Sequence, residues 1–328
     1  MTNYILFDTE TTGITKHDRV IQVGAMIIDS KNNTKVFDEL CSVDIDIPID
    51  AMMVHGITPD KLIGKPKFID TKFYKDLNNL NTSENYLIAH NIKFDIDMIK
   101  KEGFENKLKL IDTFRCARHL LPDENRHKLQ YLRYSLKLYE NEAQETIKHN
   151  INIKAHDAIG DVIVMKLLLS NLVSIVRSKF VGQNPMDKLV HLTSTPATIQ
   201  KINFGKHSGK TLKDINTIDR SYLRWLLENT DDEDMIHSIK ALNITQNDKK
   251  ESKSYNNQHK RVYNKPANQA TNNPKLIKIM PFGKFKGEKL EDICEKNMEY
   301  IDWLLENTDN ENFKKELEYS VDKLINEV

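Results

Sequence analysis

A chain of 328 residues, 39% apolar and 29% charged, is long enough for a full catalytic domain with one or two small modules, and suits a soluble protein with some polar linker. Lys and Arg number 48, as do Asp and Glu, so the formal net charge at pH 7 is zero. That argues against a protein coating nucleic acid non-specifically, but not against one gripping a strand end locally. Cys41, Cys116 and Cys294 are far apart with no metal-ligand spacing, and read as reduced thiols. The N-terminus lacks a basic region and soon meets Asp8, so it does not read as a signal peptide. Val162–Val176 is interrupted by Lys166, Ser170 and Asn171 and reads as a core helix too short for a bilayer. The expectation is a cytoplasmic protein with no membrane association.

Strand and helix patterns alternate through the first half. Tyr4–Phe7 is a short apolar run ending in acidic residues, as a buried strand would. Arg19–Asp29 is β-rich, and Lys35–Val43 can pair with it across a turn at Lys31–Thr34. Asn85–Ala89 is another strand; Asn91 then stands where a cap belongs, before a helix through Phe94, Met98 and Ile99 that stops at Gly103. Lys109–Ile111 predicts a further strand, with a helix capped by Asp112 or Thr113 and ending before Pro122. Asp157–Lys179 predicts a long helix packed on a mixed sheet, giving an α/β domain.

Beyond Lys179 the texture changes. Residues 243–275 carry seven Lys and Arg against two Asp and Glu, with almost no aliphatic periodicity, and read as a flexible linker. Around it lies an internal repeat: Phe204–Thr230 and Phe282–Thr308 align without gaps at an offset of 78 residues, both ending in WLLENT. Each copy predicts a Gly-punctuated hairpin followed by a helix whose Tyr, Trp and Leu pack back on it. On that reading Trp225 and Trp303 are core residues. The organisation expected is a domain over 1–178, a linker over 179–198, copy 1 over 199–242, a polar and basic linker over 243–274 and copy 2 over 275–328. Gly205 to Thr211 superficially resembles a phosphate-binding loop, but only three residues separate its glycines where that loop needs four.

Three segments carry chemistry together. Asp8 and Glu10, at positions i and i+2 of a strand, present carboxylates to one side. Asp95 falls in the first turn of a helix within His90–Asp95, and Asp161 opens the long helix within His156–Asp161. Converging carboxylates raise one another's pKa unless cations sit among them, and hard oxygen ligands suit Mg²⁺ or Mn²⁺ rather than zinc.

The segments resemble the three motifs of the DnaQ-like DEDDh exonucleases, D-x-E-T-T-G, H-N-x-x-F-D and H-x-A-x-x-D, over roughly residues 1–178. That resemblance implies a ribonuclease H-like fold, a mixed five-stranded sheet flanked by helices, followed here by two small α+β modules. It implies two Mg²⁺ or Mn²⁺ ions held by Asp8, Glu10, Asp95 and Asp161, with His156 taking the proton from the attacking water. Thr9, Thr11 and Thr12 would offer donors to the terminal nucleotide. Val54–Ile57 is similar to a segment that lies against the terminal base, making His55 a contact; Asn91 would orient substrate or cap its helix. The repeat resembles the C-terminal module of exodeoxyribonuclease X-like proteins. The implied substrate is the 3′ end of single- or double-stranded DNA. RNA trimming, polymerase proofreading and a non-catalytic adaptor role are the alternatives. Lys206, Lys210, Lys284, Lys286 and the basic linker suggest attachment of the modules to DNA or to a protein partner.

Overall fold

The computed structural model describes residues 2–151, 153, 157–244, 276–280, 285, 288–307 and 311–326. It forms two compact units, residues 1–251 and 252–328. In the first, β1 (Asn3–Thr11), β2 (Val20–Asp29) and β3 (Thr34–Leu40) form an antiparallel meander, and β4 (Tyr86–Ala89) and β5 (Lys109–Asp112) extend it in parallel. The order is β3-β2-β1-β4-β5, the mixed five-stranded sheet implied by the resemblance.

The pleat sends alternate side chains of β1 to opposite faces. Leu6 joins Met26 and Ile88 in one apolar cluster, while Ile5 and Phe7 join Val23 and Leu87 in the other. The helices of this unit are α1 (Ile49–His55), α2 (Lys72–Asn79), α3 (Ile92–Lys101), α4 (Thr113–Leu120), α5 (Leu129–Ser135), α6 (Glu142–His149), α7 (Ala158–Lys179) and α8 (Pro185–Ser194). Residues of α4, α5, α7 and α8 complete the first cluster, and those of α2 and α3 the second. Each large side chain buried this way contributes about 1.5–3 kcal/mol.

Two expectations are corrected here. By length and composition α7, with 22 residues, can cross a membrane. Its length therefore decides nothing; what distinguishes it is that Val162, Ile163, Val164, Leu168, Leu172 and Val176 are fully buried against the sheet and α4. Nor is 179–198 a bare linker. It carries α8, capped by Asn184, whose Leu189 is buried in the core.

The rest of the first unit holds α9 (Leu212–Ile218), α10 (Arg220–Glu228) and α11 (Glu233–Lys240); the second holds α12 (Leu290–Asn307) and α13 (Glu311–Asn326). Among the described residues, the expected hairpins are seen as single bridges, Lys201 to Thr211 and Ile279 to Lys289, and the rest of each module is mainly helical. Gly205 (φ 64°) and Gly209 (φ 84°) make the tight turn in copy 1. The repeat also diverges. His207 packs edge-on against Tyr222 at 4.9 Å, and Phe285 packs the same way on Tyr300 at 4.9 Å. An imidazole and a phenyl ring thus fill equivalent places, which marks His207 as a packing residue. Trp225 is not core: it is 53% exposed and stacks on Tyr222. The side chain of Trp303 lies outside the described residues.

Candidate active site

β1 runs past its parallel partner β4 into the D-T-E-T-T segment, which stays paired with β2. In register, Asp8 faces Gly24 of β2. Gly24 has no side chain, and the start of α7 descends onto the space left: a Cβ built there would lie 2.2 Å from the Ile159 nitrogen and 2.3 Å from the Ala158 carbonyl carbon. This contact brings the first turn of α7, with Asp161, down to β1. Asp8, Glu10 and Asp161 then offer carboxylate oxygens that all lie within 4.8 Å of one another.

Asp95 is buried beneath this trio at the start of α3. Thr9 holds it: the hydroxyl donates to Asp95 Oδ1 at 2.8 Å, and the Thr9 N–H also points to it. The hydroxyl expected to face substrate is therefore engaged inside. Thr11 Oγ1 donates to the Gly13 carbonyl at 2.7 Å and Thr12 Oγ1 to Asp18 Oδ1 at 2.7 Å, so both brace the turn after β1. Asn91 occupies the cap position of α3 in a left-handed conformation (φ 72°) without a side-chain cap bond. Its side chain is exposed, and the capping role does not hold. His55 ends α1 beside the Thr11 backbone, with Nδ1 accepting from the Ile57 N–H at 3.0 Å; burial and then Lys61 lower its pKa. His156 lies outside the described residues.

Three neighbours went unmarked in the sequence. Gln130, at the start of α5, donates to Asp161 Oδ1 at 2.5 Å. Arg133 donates to the Gln130 carbonyl oxygen at 3.2 Å and is itself held by Glu142. Asp157 is a fifth carboxylate close enough to act on Asp8 and Glu10, and accepts from Gln22 at 3.1 Å. No spacing rule in the sequence points to any of them.

Such crowding has an electrostatic signature. Burial, followed by the charges of Asp95, Asp161, Glu10 and Asp157, raises the Asp8 pKa well above the carboxylate range. Burial and then Asp161, Asp95 and Asp157 push Glu10 to about 8. Burial carries Asp95 to about 7, against the opposing bonds from Thr9. The donors are carboxylate oxygens at ligand separation, crowded enough to raise one another's pKa, so the residues fit hard divalent cations.

A testable sign follows. Native carboxyls that hold protons up to pH 7–8 bind more protons than the unfolded chain, whose carboxyls titrate near about 4. The metal-free protein should therefore lose stability as pH rises from about 4 through about 8. Added Mg²⁺ should raise the melting temperature more near pH 8 than near pH 5. Melts over that range with and without Mg²⁺ check this; a flat metal-free profile contradicts it.

The exonuclease family matches residues 5–168, half of the chain, and the exodeoxyribonuclease X-like C-terminal family matches residues 202–231 and 280–309. The chain belongs to the exonuclease family. It is 32% identical to DNA polymerase III subunit epsilon of Treponema pallidum over 133 residues, covering 38% of this chain and 60% of that protein. It is 26% identical to exodeoxyribonuclease 10 of Escherichia coli K12 over 231 residues, covering 69% of this chain and 91% of that protein. The chain thus spans about 60% of the length of the epsilon subunits of Treponema pallidum and Buchnera aphidicola. A solved structure of exonuclease X with 5′-overhanging duplex DNA is 20% identical, with a TM-score of 0.42, covering 58% of this chain and 99% of that one.

Proposed function

We propose that the protein is a metal-dependent 3′→5′ exodeoxyribonuclease of the cytoplasm, releasing nucleoside 5′-monophosphates from DNA ends in repair or end trimming. The observation that carries this is the convergence of Asp8, Glu10 and Asp161 within 4.8 Å, with Asp95 buried alongside. Likeness to exodeoxyribonuclease 10 over 91% of that protein, and the matched tail modules, support DNA as substrate and an end-processing role over polymerase proofreading.

In this reading Asp8, Glu10 and Asp161 would hold one divalent ion, and Asp8 with Asp95 a second. Bound Mg²⁺ or Mn²⁺ supplies Lewis-acid neutralisation of the phosphate and activation of water at neutral pH. The protein's own groups do the rest. Thr9 fixes the Asp95 carboxylate, Gln130 orients that of Asp161, and His156 takes the proton from the attacking water, a task suited to an imidazole titrating near neutrality. Asn91 and His55, at the rim, contact the terminal nucleotide, together with backbone groups of Thr9, Thr11 and Thr12.

The test uses 3′-labelled single- and double-stranded DNA and matched RNA. Mononucleotide release should vanish with EDTA, return with Mg²⁺ or Mn²⁺ and favour DNA. His156→Ala should lose about 10²–10⁴-fold in rate while still binding DNA. Full turnover by that variant removes the role of His156, and metal-independent release removes the whole reading. Preferential RNA trimming replaces the substrate.

A further inference from the structure

Copy 1 of the repeat is fastened to the catalytic domain beside the site. Arg118 of α4 pairs with Asp232 at 2.7 Å and Asp234 at 2.6 Å, and Arg115 with Glu233 at 2.7 Å. Lys93, two residues before Asp95, approaches Glu233 at 3.9 Å. These acids stand at the start of α11, where the helix dipole also favours them. The joint leaves a cleft of about 500 Å³ between the loop Pro122–Lys128 and the chain over 198–204.

Arg126, Lys128 and Lys201 line this cleft, all exposed and, among the described residues, without an acidic partner. Phe204, 48% exposed, joins them, with Asn125 and Asn203 between. Asp123 and Glu124 also line it, fewer than the free cations; Asp232 is already paired with Arg118. The cleft adjoins the catalytic carboxylates. Gln130, which touches Asp161, lies two residues after Lys128, a reach of at most about 7 Å along the chain. His90, the neighbour of Asn91, donates from Nε2 to the His127 carbonyl at 2.9 Å and ties the same loop to the site.

Cations along a groove with an exposed ring are what a single nucleic-acid strand requires: charge for the phosphates and a face for a base. Copy 2 keeps the aromatic position as Phe282 but lacks the cation and the docking aspartates. In its alignment Ile279 stands for Lys201, and Asn310 and Asn312 for the docking Asp232 and Asp234. Lys206, one of the lysines first suggested for DNA attachment, pairs with Asp219 at 2.7 Å instead.

We propose that this cleft binds the single-stranded segment of the DNA substrate next to the nucleotide being removed, with phosphates against Arg126, Lys128 and Lys201 and a base on Phe204. This rests on the nuclease reading above, and makes copy 1 part of the substrate site rather than a remote anchor. The test is length dependence in the full chain. Wild-type kcat/KM should climb as oligothymidylates lengthen from two nucleotides to about eight, within the usual footprint of such grooves. In the variant Arg126→Gln, Lys128→Gln, Lys201→Gln the ratio of long- to short-substrate kcat/KM should fall at least ~10-fold, and the slope of log KM against log salt should drop by about 2, as expected for three lost phosphate contacts on a single strand. Phe204→Ala should lower the same ratio about 5-fold or more. An unchanged ratio in both variants, with wild-type hydrolysis intact, overturns the cleft and spares the nuclease reading. Equal loss on both lengths also overturns it. Absence of hydrolysis by the wild type removes both.

Discussion

Replacing Asp8 by asparagine is expected to cut hydrolysis on the order of a thousandfold, about 4 kcal/mol in barrier, while making the metal-free protein more heat-stable near pH 8. Both effects come from one cause. Asp8 sits among Asp95, Asp161, Glu10 and Asp157, and its charge is tolerated there only when a cation compensates. An amide keeps the shape, removes the repulsion and gives up a ligand. Because the folded pKa is raised, the carboxyl destabilises the fold above the ordinary carboxylate range, so the stabilising effect of asparagine should vanish below about pH 4. Rates with Mg²⁺ and paired melts at both pH values check this. Substantial hydrolysis, or a melting temperature lowered near pH 8, contradicts the shared-charge account.

Gly24→Ala is the second large expectation. The added Cβ meets backbone, not a flexible side-chain tip, at 2.2 Å from Ile159 N and 2.6 Å from the Ala158 carbonyl oxygen. The start of α7 must back away by roughly an ångström. A displacement of that size costs about 10²-fold in catalysis, and overpacking of this kind about 1–3 kcal/mol in stability. The measurement is kcat with a thermal melt of the same preparation. A variant that keeps full rate shows that Asp161 does not depend on this contact.

These residues also mark where sequence reading stopped. Strand alternation put Asp8 and Glu10 on one side of β1, and the helix starts carrying Asp95 and Asp161 were legible from apolar periodicity. What remained hidden is tertiary. Gly24 looks like any strand glycine until its partner helix is known. Gln130 lies 31 residues from Asp161, and nothing local predicts their contact. Thr9 sits between two carboxylates and invites a substrate role, yet it faces inward to Asp95 because successive strand residues alternate. The helices α1, α2 and α8 are only 7, 8 and 10 residues long, too short for a clear period, and Trp225, at core-like spacing, is half out in water because Tyr222 and the leucines fill the small module first.

α8 has a practical consequence for dissecting the molecule. Leu189 lies against the Cys116 region, Thr193 accepts the Asp112 N–H at 2.8 Å, and Asp187 accepts from the Tyr86 hydroxyl at 3.0 Å. A fragment cut at residue 178 would strip β5 and α4 of their cover and present an oily seam to solvent. The smallest fragment that keeps the core covered must reach at least Ser194, and one that ends there still bares the arginines with which α4 grips its neighbour.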